Sequence, residues 1–276
     1  GPLQSRTPIS IGVELFGEAS LSADIEVIDL FLQTLTNAGI EDVYLDLGHV
    51  DICRGLLSEA GLDDELEEEL FELLQRKARA ELSDWITLNI QDARLSGWLN
   101  ALPTLTGGIE VLMQAKQLLK GSPKVVLDAI SQLEGIVSAI ADKSVSVYID
   151  LGEIPGYHYH TGIVFAAYVQ GYGKALGNGG RYDHVGEAFG RSRPATGFAI
   201  DLKSLVTQGR SEVSSVGGIF APFSADTESQ NQINSLRSQG KRVVQGFEGQ
   251  KVDLEEMKCD HQLVNIDGKY VIQRLS

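Results

Sequence analysis

The residues best suited to chemistry lie in a run of alternating polar rings, Tyr-His-Tyr-His-Thr. His158 and His160 are two positions apart, so on a strand both side chains point to the same face of a sheet. Two imidazoles on one face can ligate a metal ion, and the third ligand would be Glu14, Asp183 or His184. Because no third ligand follows at a fixed spacing, the pattern favours a pocket lined by polar rings. A metal site and a purely structural face are the alternatives.

A second candidate group follows two glycines. Arg181 and Asp183 flank Tyr182 directly after Gly179 and Gly180, and glycine allows a ligand to approach the backbone closely. A guanidinium beside a carboxylate suits recognition of a carboxylate or an amino group. A buried structural ion pair would use the same residue types, so both interpretations stay open. The preceding stretch GYGKALGNGG lacks dinucleotide-loop spacing and predicts a loop between antiparallel strands.

These candidate side chains must be positioned by strands and helices, which the spacing of apolar residues predicts. The segment 9–16 alternates as a strand does, 22–38 has apolar residues three and four apart, and 43–50 alternates again. Together they predict strand, helix and strand, and therefore a mixed α/β opening. Helical patterns continue from about 54 to 141 and predict a helical insertion on the surface.

That helical insertion is expected to be amphipathic. Its charges are concentrated in the acidic run from Asp63 to Glu69, which is typical of a solvated helix face. The apolar positions expected to pack inward are Leu66, Leu70 and Leu73, and the acidic ones expected to face mostly outward are Glu67, Glu68 and Glu69.

The second half of the chain changes to strand patterns after Lys143. SVSVYIDLGE and YHYHTGIVFAAYVQGYG both alternate and predict an antiparallel meander. The segment 195–206 passes from a strand into a helix, and the most linker-like stretch follows near 210. The remaining residues, 211–276, predict a small C-terminal α/β segment whose last two strands turn at Asp267-Gly268.

The composition of the chain limits the kinds of partner that it can bind. Of 276 residues, 38 are acidic and 23 basic, and the net charge of −15 would repel a phosphate backbone. No apolar run approaches the roughly 20 residues that span a bilayer, and the two cysteines form no framework. We therefore expect a cytoplasmic protein with no nucleic-acid or membrane partner. The chain opens without methionine, in what reads as mid-domain sequence, so we expect native N-terminal residues to be missing.

Several motifs in one order resemble the class II aminoacyl-tRNA synthetases, in their histidyl-tRNA synthetase version. GGRYD followed by PATGFAIDLKSL resembles the third signature, and ISIGVELFG resembles the strand of the second. DVYLDLGHVDICRGLL and GYHYHTGIVFAAYV follow in the family's order, so the resemblance spans roughly residues 6–206. It implies an α/β (α+β) synthetase-like core at 1–210, with an antiparallel sheet flanked by helices. The first signature and a dimer-forming helix would lie in the missing N-terminal part.

Two departures from that family bear on catalysis. The histidine loop of the synthetases reads Arg-Gly-Leu-Asp-Tyr-Tyr-Thr-Gly, and Pro155 stands here at the position of its arginine. Ser204 stands where the third signature has the arginine that clamps ATP. Proline cannot stabilise the negative charge that develops during histidine activation, and serine can neither stack on adenine nor neutralise phosphate. The resemblance therefore implies a protein without adenylate or aminoacylation chemistry.

The histidine end of the pocket is retained in part. Glu14 matches the carboxylate that reads the substrate, Ser10 replaces an expected glutamine, and His160 replaces a tyrosine. By resemblance, the candidate pocket for a histidine effector consists of Glu14, Tyr159, His160, Thr161, Arg181, Tyr182 and Asp183.

This combination is similar to the regulatory subunits of ATP phosphoribosyltransferase, which are paralogues of histidyl-tRNA synthetase. The run Gly-Tyr-His-Tyr-His-Thr-Gly resembles that family specifically. The resemblance implies a non-catalytic, self-associating subunit without a cofactor. It would activate a short catalytic subunit and mediate histidine feedback in the first step of histidine biosynthesis. A divergent histidyl-tRNA synthetase fragment and another amino-acid-sensing paralogue are the alternatives.

Overall fold

The structure is a computed structural model that describes residues 9–152, 159–184, 190, 192–209 and 217–275. The chain divides into two compact units, Gly1–Ser211 and Glu212–Ser276. Across the described ranges, no helix is both long and apolar enough to cross a membrane.

The first unit opens with the predicted strand, helix and strand: β1 (Ser10–Phe16), α1 (Leu21–Asn37) and β2 (Val43–His49). Helix α1 buries Val27, Ile28, Phe31 and Leu35, which recur three and four positions apart on one side. These elements confirm the mixed α/β opening.

Helices fill the chain between β2 and the next long strand. They are α2 (Val50–Ala60), α3 (Asp64–Gln75), α4 (Arg79–Asn89), α5 (Ala93–Ala101), α6 (Glu110–Leu118) and α7 (Lys124–Ala139), with the short strand β3 (Thr106–Gly107) before α6. On α3, Leu70 and Leu73 are buried and Leu66 is half-buried. Glu68 and Glu69 are exposed, whereas Glu67 is half-buried.

This helical segment does not lie only on the surface. Leu56 of α2 and Ile130 and Leu133 of α7 belong to the same buried cluster as Leu45 of β2. The segment therefore forms part of the core of the first unit. The expectation of a purely superficial insertion needs correction, because the apolar sides of α2 and α7 face the same cluster as the sheet.

The remaining elements of the first unit are β4 (Val145–Asp150), β5 (Ile163–Val169), β6 (Gly177–Arg181), β7 (Ala195–Asp201) and α8 (Leu202–Gln208). The strands form one seven-stranded sheet in the order β1-β7-β6-β5-β2-β4-β3. Neighbouring strands are antiparallel except for β2 and β4, which are parallel.

One local prediction about this sheet is wrong, and a second is correct only in part. The β4–β5 meander is absent, because β2 lies between them and pairs with both. A parallel β2–β4 pair needs a long crossover, and the helical segment supplies it. The glycine-rich stretch does join the antiparallel strands β5 and β6, but only its first part is a loop, because β6 begins at Gly177. A Cβ atom at Gly179 would lie 2.5 Å from Phe165 Cζ and closer still to the carbonyl oxygen of Gly197, so glycine lets this strand fit between its neighbours.

The second unit contains β8 (Gly218–Ala221), α9 (Thr227–Ser238), β9 (Val243–Gln245), β10 (Cys259–Ile266) and β11 (Lys269–Arg274). Its sheet has the order β11-β10-β8-β9. Ile233 and Leu236 of α9 pack in one cluster with apolar residues of the sheet. Asp267 and Gly268 have φ values of 51° and 80°, which confirms the predicted two-residue hairpin turn.

Candidate functional site

One face of the seven-stranded sheet carries the candidate residues. On β2, Leu45 and Leu47 are buried in the core, whereas Tyr44 and Asp46 alternate with them and point to the opposite side. We call that opposite side the open face. Tyr44, Tyr148 and Tyr168 belong to it and are 46%, 44% and 38% exposed.

Three of the predicted residues meet on this face. The ring of Tyr159 stacks on that of Tyr182, with centroids 5.2 Å apart and 26° between the planes. The Tyr182 hydroxyl hydrogen-bonds to Glu14, whose charge, together with burial, raises the pKa of Tyr182. Burial is the larger cause, and both keep the hydroxyl neutral, as a hydrogen-bond donor. We call Glu14, Tyr159 and Tyr182 the tyrosine–glutamate group.

His160 borders this group. Its ring meets Tyr159 edge-on, with centroids 5.2 Å apart and 88° between the planes. Its backbone carbonyl accepts a 3.0 Å hydrogen bond from Arg54 on α2. The loop that carries His160 is thereby fixed to the helical segment.

Arg181 lies beneath this surface in a buried ion pair. Its Nε and Nη2 contact Asp24 Oδ1 at 3.1 and 3.0 Å, and Nη1 contacts Asp183 Oδ1 at 3.3 Å. The carbonyl oxygens of Glu18 and Ser20 accept the remaining bonds, each 3.3 Å long. These contacts account for all five N–H donors of a guanidinium. The expected pairing of Arg181 with a ligand carboxylate therefore needs correction, because internal partners engage its donors.

Thr161 and Asp183 belong to the same internal framework, the hydrogen-bonded network around Arg181. The Asp183 amide donates to Thr161 Oγ1 at 3.0 Å, and Asp183 Oδ1 accepts from the Ala195 amide at 3.0 Å. The Thr161 amide in turn donates to the Arg181 carbonyl at 2.7 Å. These bonds link the start of β5, the end of β6 and the start of β7, and so hold the strands that carry the tyrosine–glutamate group.

A cavity of about 280 Å³ opens on the same face, and His160 is part of its lining. Its lining includes Asp46, Asp150, Asn178 and Tyr168. The buried Asp150 carboxylate forms an ion pair with Lys77, from the turn between α3 and α4, and accepts a 3.0 Å bond from the Gly152 amide. We call this space the open-face cavity.

Asp46, Asp150 and Asn178 line this cavity but are not among the site residues predicted from the sequence. A signal was present for the first two, because Tyr44 and Asp46 alternate with apolar residues on β2, as Tyr148 and Asp150 do on β4. Polar residues in the phase opposite the core mark the accessible face of a half-buried strand. For Asn178, which lies between glycines, the sequence offers no comparable signal.

The metal hypothesis and one synthetase motif fall partly outside the described residues. Pro155, Gly156, Tyr157 and His158 are not among them. Within the part that the structure describes, no three His, Cys, Asp or Glu side chains come together as a metal site would require.

Ser204 occupies the position at which the synthetases have the arginine that clamps ATP. It is 5% exposed in the first turn of α8, and its hydroxyl hydrogen-bonds to the hydroxyl of Tyr172 at 2.5 Å. Asp201 caps the helix by accepting from the amides of Lys203 and Ser204 at 2.9 and 3.0 Å, and these bonds lower the pKa of Asp201. The Ser204 side chain is therefore part of the protein's own packing.

The fold and its open face define a class II aminoacyl-tRNA synthetase-like protein. A family model described as histidyl-tRNA synthetase matches residues 1–205, and one described as the ATP phosphoribosyltransferase subunit HisZ C-terminal domain matches residues 216–273. The ATP phosphoribosyltransferase regulatory subunit of Saccharophagus degradans is 47% identical over 275 residues, which are 99% of this chain and 70% of that protein. The chain belongs to the family of ATP phosphoribosyltransferase regulatory subunits.

Solved structures agree with this assignment. An ATP phosphoribosyltransferase regulatory subunit/histidyl-tRNA synthetase from Bacillus halodurans superposes with a TM-score of 0.72 at 25% identity, over 90% of this chain and 65% of that one. The HisG:HisZ ATP phosphoribosyl transferase complex from Thermotoga maritima gives a TM-score of 0.55 at 20% identity, over 70% of this chain and 65% of that one. The predicted family and synthetase-like fold are thus confirmed.

Proposed function

We propose that this chain activates a short catalytic subunit of ATP phosphoribosyltransferase and mediates its inhibition by histidine, in the cytoplasm, at the first step of histidine biosynthesis. The observation that carries the proposal is the family relationship, at 47% identity over nearly the whole chain. The similar Thermotoga structure is a complex of HisG and HisZ, which supports a hetero-oligomer here.

The tyrosine–glutamate group and His160 are the proposed effector site. Glu14 can accept a hydrogen bond from the ammonium or an imidazole N–H of histidine, and Tyr159 and Tyr182 offer ring faces and hydroxyls. Thr161, Arg181 and Asp183 hold the strands beneath in place and act on the effector only through this framework.

Ser204 argues against a working synthetase. An ATP-clamping arginine must reach solvent-facing phosphates, whereas Ser204 is buried against Tyr172. We expect no histidine-dependent ATP–pyrophosphate exchange above background, either for this chain or for Ser204→Arg. Exchange by the unaltered chain would favour the alternative of a divergent synthetase.

Co-purification tests the regulatory role. The chain is mixed with a tagged short catalytic subunit, captured, and sized by light scattering. We expect a stable hetero-oligomer. Failure of the two chains to associate at micromolar concentrations would contradict the proposal.

A further inference from the structure

The second unit has a cavity of about 300 Å³ at one end of its sheet, where the parallel strands β8, β9 and β10 begin. Lys241 and Arg242, which precede β9, line this cavity. Arg274 on β11 lies directly opposite the lining residue His261 on β10, so its side chain leaves the sheet on the same side as His261. Three basic side chains therefore surround this space, which we call the basic cavity.

Two successive glycines at the start of β8 make room for the charged lining. A Cβ atom at Gly218 would collide with Nη1 of Arg242, and a Cβ atom at Gly217 would collide with the carboxylate of Asp260. The two side chains therefore lie directly against the backbone. Any residue other than glycine would displace them from the cavity.

The Arg242 guanidinium is held in place by the backbone of the loop before β10. Its Nη1 donates to the Lys258 carbonyl at 3.1 Å, and its Nη2 donates to the Met257 carbonyl at 2.8 Å. Among the described residues, no acceptor binds its Nε. A guanidinium that is fixed before the ligand arrives lowers the entropic cost of binding, and its free N–H groups suit the oxygens of an anion.

The only carboxylate in the described lining already has a partner. The register of β10 shifts between Cys259 and His261, which lets Asp260 and His261 both line the cavity. His261 Nδ1 donates to Asp260 Oδ1 at 2.9 Å, which is the main cause that lowers the pKa of Asp260, and the Arg274 charge contributes. Within the described ranges, neither the Lys241 ammonium nor the Arg274 guanidinium has a hydrogen-bond or ion-pair partner. The cavity therefore favours an anion, although the whole chain has a net charge of −15.

Two isoleucines complete the lining with apolar surface. Ile219 is buried on β8, and Ile272 on β11 is 43% exposed. A small number of polar groups beside apolar side chains is typical of a pocket for a small organic molecule. Because Coulomb attraction grows with the charge of the ligand, a phosphate monoester should gain more from the three cations than a carboxylate does.

We propose that the basic cavity is a ligand site for a small organic phosphate. The phosphate group binds Lys241, Arg242 and Arg274, and a short apolar body rests on Ile219 and Ile272. The site goes beyond the proposed function, because all of its residues belong to the second unit, whereas the tyrosine–glutamate group belongs to the first.

Calorimetry on the full chain with three matched probes tests this site. Butyl phosphate, pentanoate and butylamine carry a phosphate, a carboxylate and an ammonium on the same butyl chain. We expect butyl phosphate to bind most tightly, pentanoate to bind more weakly, and butylamine not to bind. Inorganic phosphate should also bind more weakly than butyl phosphate, because it has no apolar body to contact the isoleucines.

Two variants remove charge from the cavity without breaking any contact between described residues. Lys241→Gln and Arg274→Gln should each weaken butyl phosphate binding about fivefold, and together about tenfold or more. Lys269→Gln is the matched control with an equal change of charge. Lys269 begins the strand that Arg274 ends, so it lies at the opposite end of the sheet, and this variant should bind as the unaltered chain does.

Four results would overturn the proposal. They are no binding of butyl phosphate at millimolar concentration, tighter binding of pentanoate than of butyl phosphate, butylamine binding as tight as that of butyl phosphate, and binding by the folded Lys241→Gln, Arg274→Gln double variant as tight as by Lys269→Gln. None of them depends on whether the chain activates a catalytic subunit or binds histidine.

Discussion

The hydroxyl of Tyr182 lies between a carboxylate and a second aromatic ring, and both neighbours favour its neutral form. Burial, the Glu14 charge and Tyr159 raise the pKa of Tyr182 in that order. At neutral pH the hydroxyl therefore remains a donor to Glu14. A carboxylate can accept several hydrogen bonds at once, so a ligand N–H can bind Glu14 beside the Tyr182 hydroxyl that holds it in place, and Glu14 is the residue on which effector binding should depend most.

Glu14→Gln should weaken inhibition of the assembled enzyme by histidine. The loss of a charge-assisted hydrogen bond should raise the half-inhibitory histidine concentration about tenfold or more. Tyr182→Phe should act in the same direction through loss of one hydroxyl. Histidine titrations of enzyme activity measure the effect, with Glu68→Gln as a control of equal charge change. Unaltered inhibition in both folded variants would place the regulatory histidine at the subunit interface or on the catalytic subunit.

Asp24→Asn should destabilise the first unit strongly. The Arg181 and Asp24 side chains are only 8% and 3% exposed. Removing one partner of a buried ion pair costs about 3–5 kcal/mol when the other charge is left unpaired, and because Arg181 keeps Asp183 we expect a loss toward the lower end of that range. The exposed Arg76–Glu81 pair is the control, since Glu81→Gln should cost at most about 1 kcal/mol. Denaturant unfolding compares the two variants. An Asp24→Asn loss no greater than that of the control would contradict the structural role of the pair.

At the scale of elements, strand β6 is held by close approach to its neighbours. Gly179→Ala would place a methyl group against the Phe165 ring and the Gly197 carbonyl, and such overpacking costs about 1–3 kcal/mol. Gly173→Ala is the control, because no heavy atom of the described residues, its chain neighbours aside, lies within 4 Å of a Cβ at that position. We expect thermal unfolding to show a lower midpoint for Gly179→Ala alone. Equal midpoints would mean that β6 does not need glycine.

The start of α2 should respond to pH through His49. Its Nδ1 accepts from the Asp51 amide at 3.3 Å, its Nε2 lies 3.2 Å from Gln132 Oε1, and burial lowers its pKa from 6.5. Below pH 6.5 the unfolded chain takes up a proton that the folded chain does not. The stability that neutral His49 contributes is therefore present above pH 6.5 and is lost as the pH falls.

His49→Asn can cap the same helix without titrating. Unfolding by denaturant at several pH values should show a shallower loss of stability on acidification for His49→Asn than for the unaltered chain. Parallel pH profiles would contradict the role of His49, whatever the absolute stabilities.

Helices, strands and turns that are determined by neighbouring residues could be predicted from the sequence. Which strands pair with one another could not. The spacing of Val27, Ile28, Phe31 and Leu35 identifies α1, and Asp267-Gly268 specifies its own turn. In contrast, β4 pairs with β2 because a long helical crossover returns the chain in the same direction. A period of two residues is the same for parallel and antiparallel strands, so the pattern contains no information about that choice.

In the candidate site, too, some features could be predicted from the sequence and others could not. The residue types of Glu14, Tyr159 and Tyr182 indicated a polar, aromatic surface, and the structure brings them together. Arg181 could not be assigned from its neighbours in sequence, because its main partner, Asp24, is 157 positions away. Ligand pairing and internal pairing use the same chemistry, and only the packed structure distinguishes them.

At the scale of the whole molecule, the chain offers a polar binding surface, and its proposed role needs no reaction centre of its own. The open face offers polar groups, Ser204 is engaged internally, and the chain carries a net charge of −15. Because the chain belongs to a family of regulatory subunits, we expect it to influence chemistry through another subunit. The rate of that partner, and not any rate of this chain alone, is therefore the property to measure.

The most direct measurement is the rate of ATP phosphoribosyl transfer by the short catalytic subunit, with increasing amounts of this chain and then with increasing histidine. We expect a rate that rises to a plateau near an equimolar ratio of the two chains and then falls as histidine is added. A catalytic subunit that reaches its full rate alone, and keeps that rate when this chain and histidine are added, would contradict it.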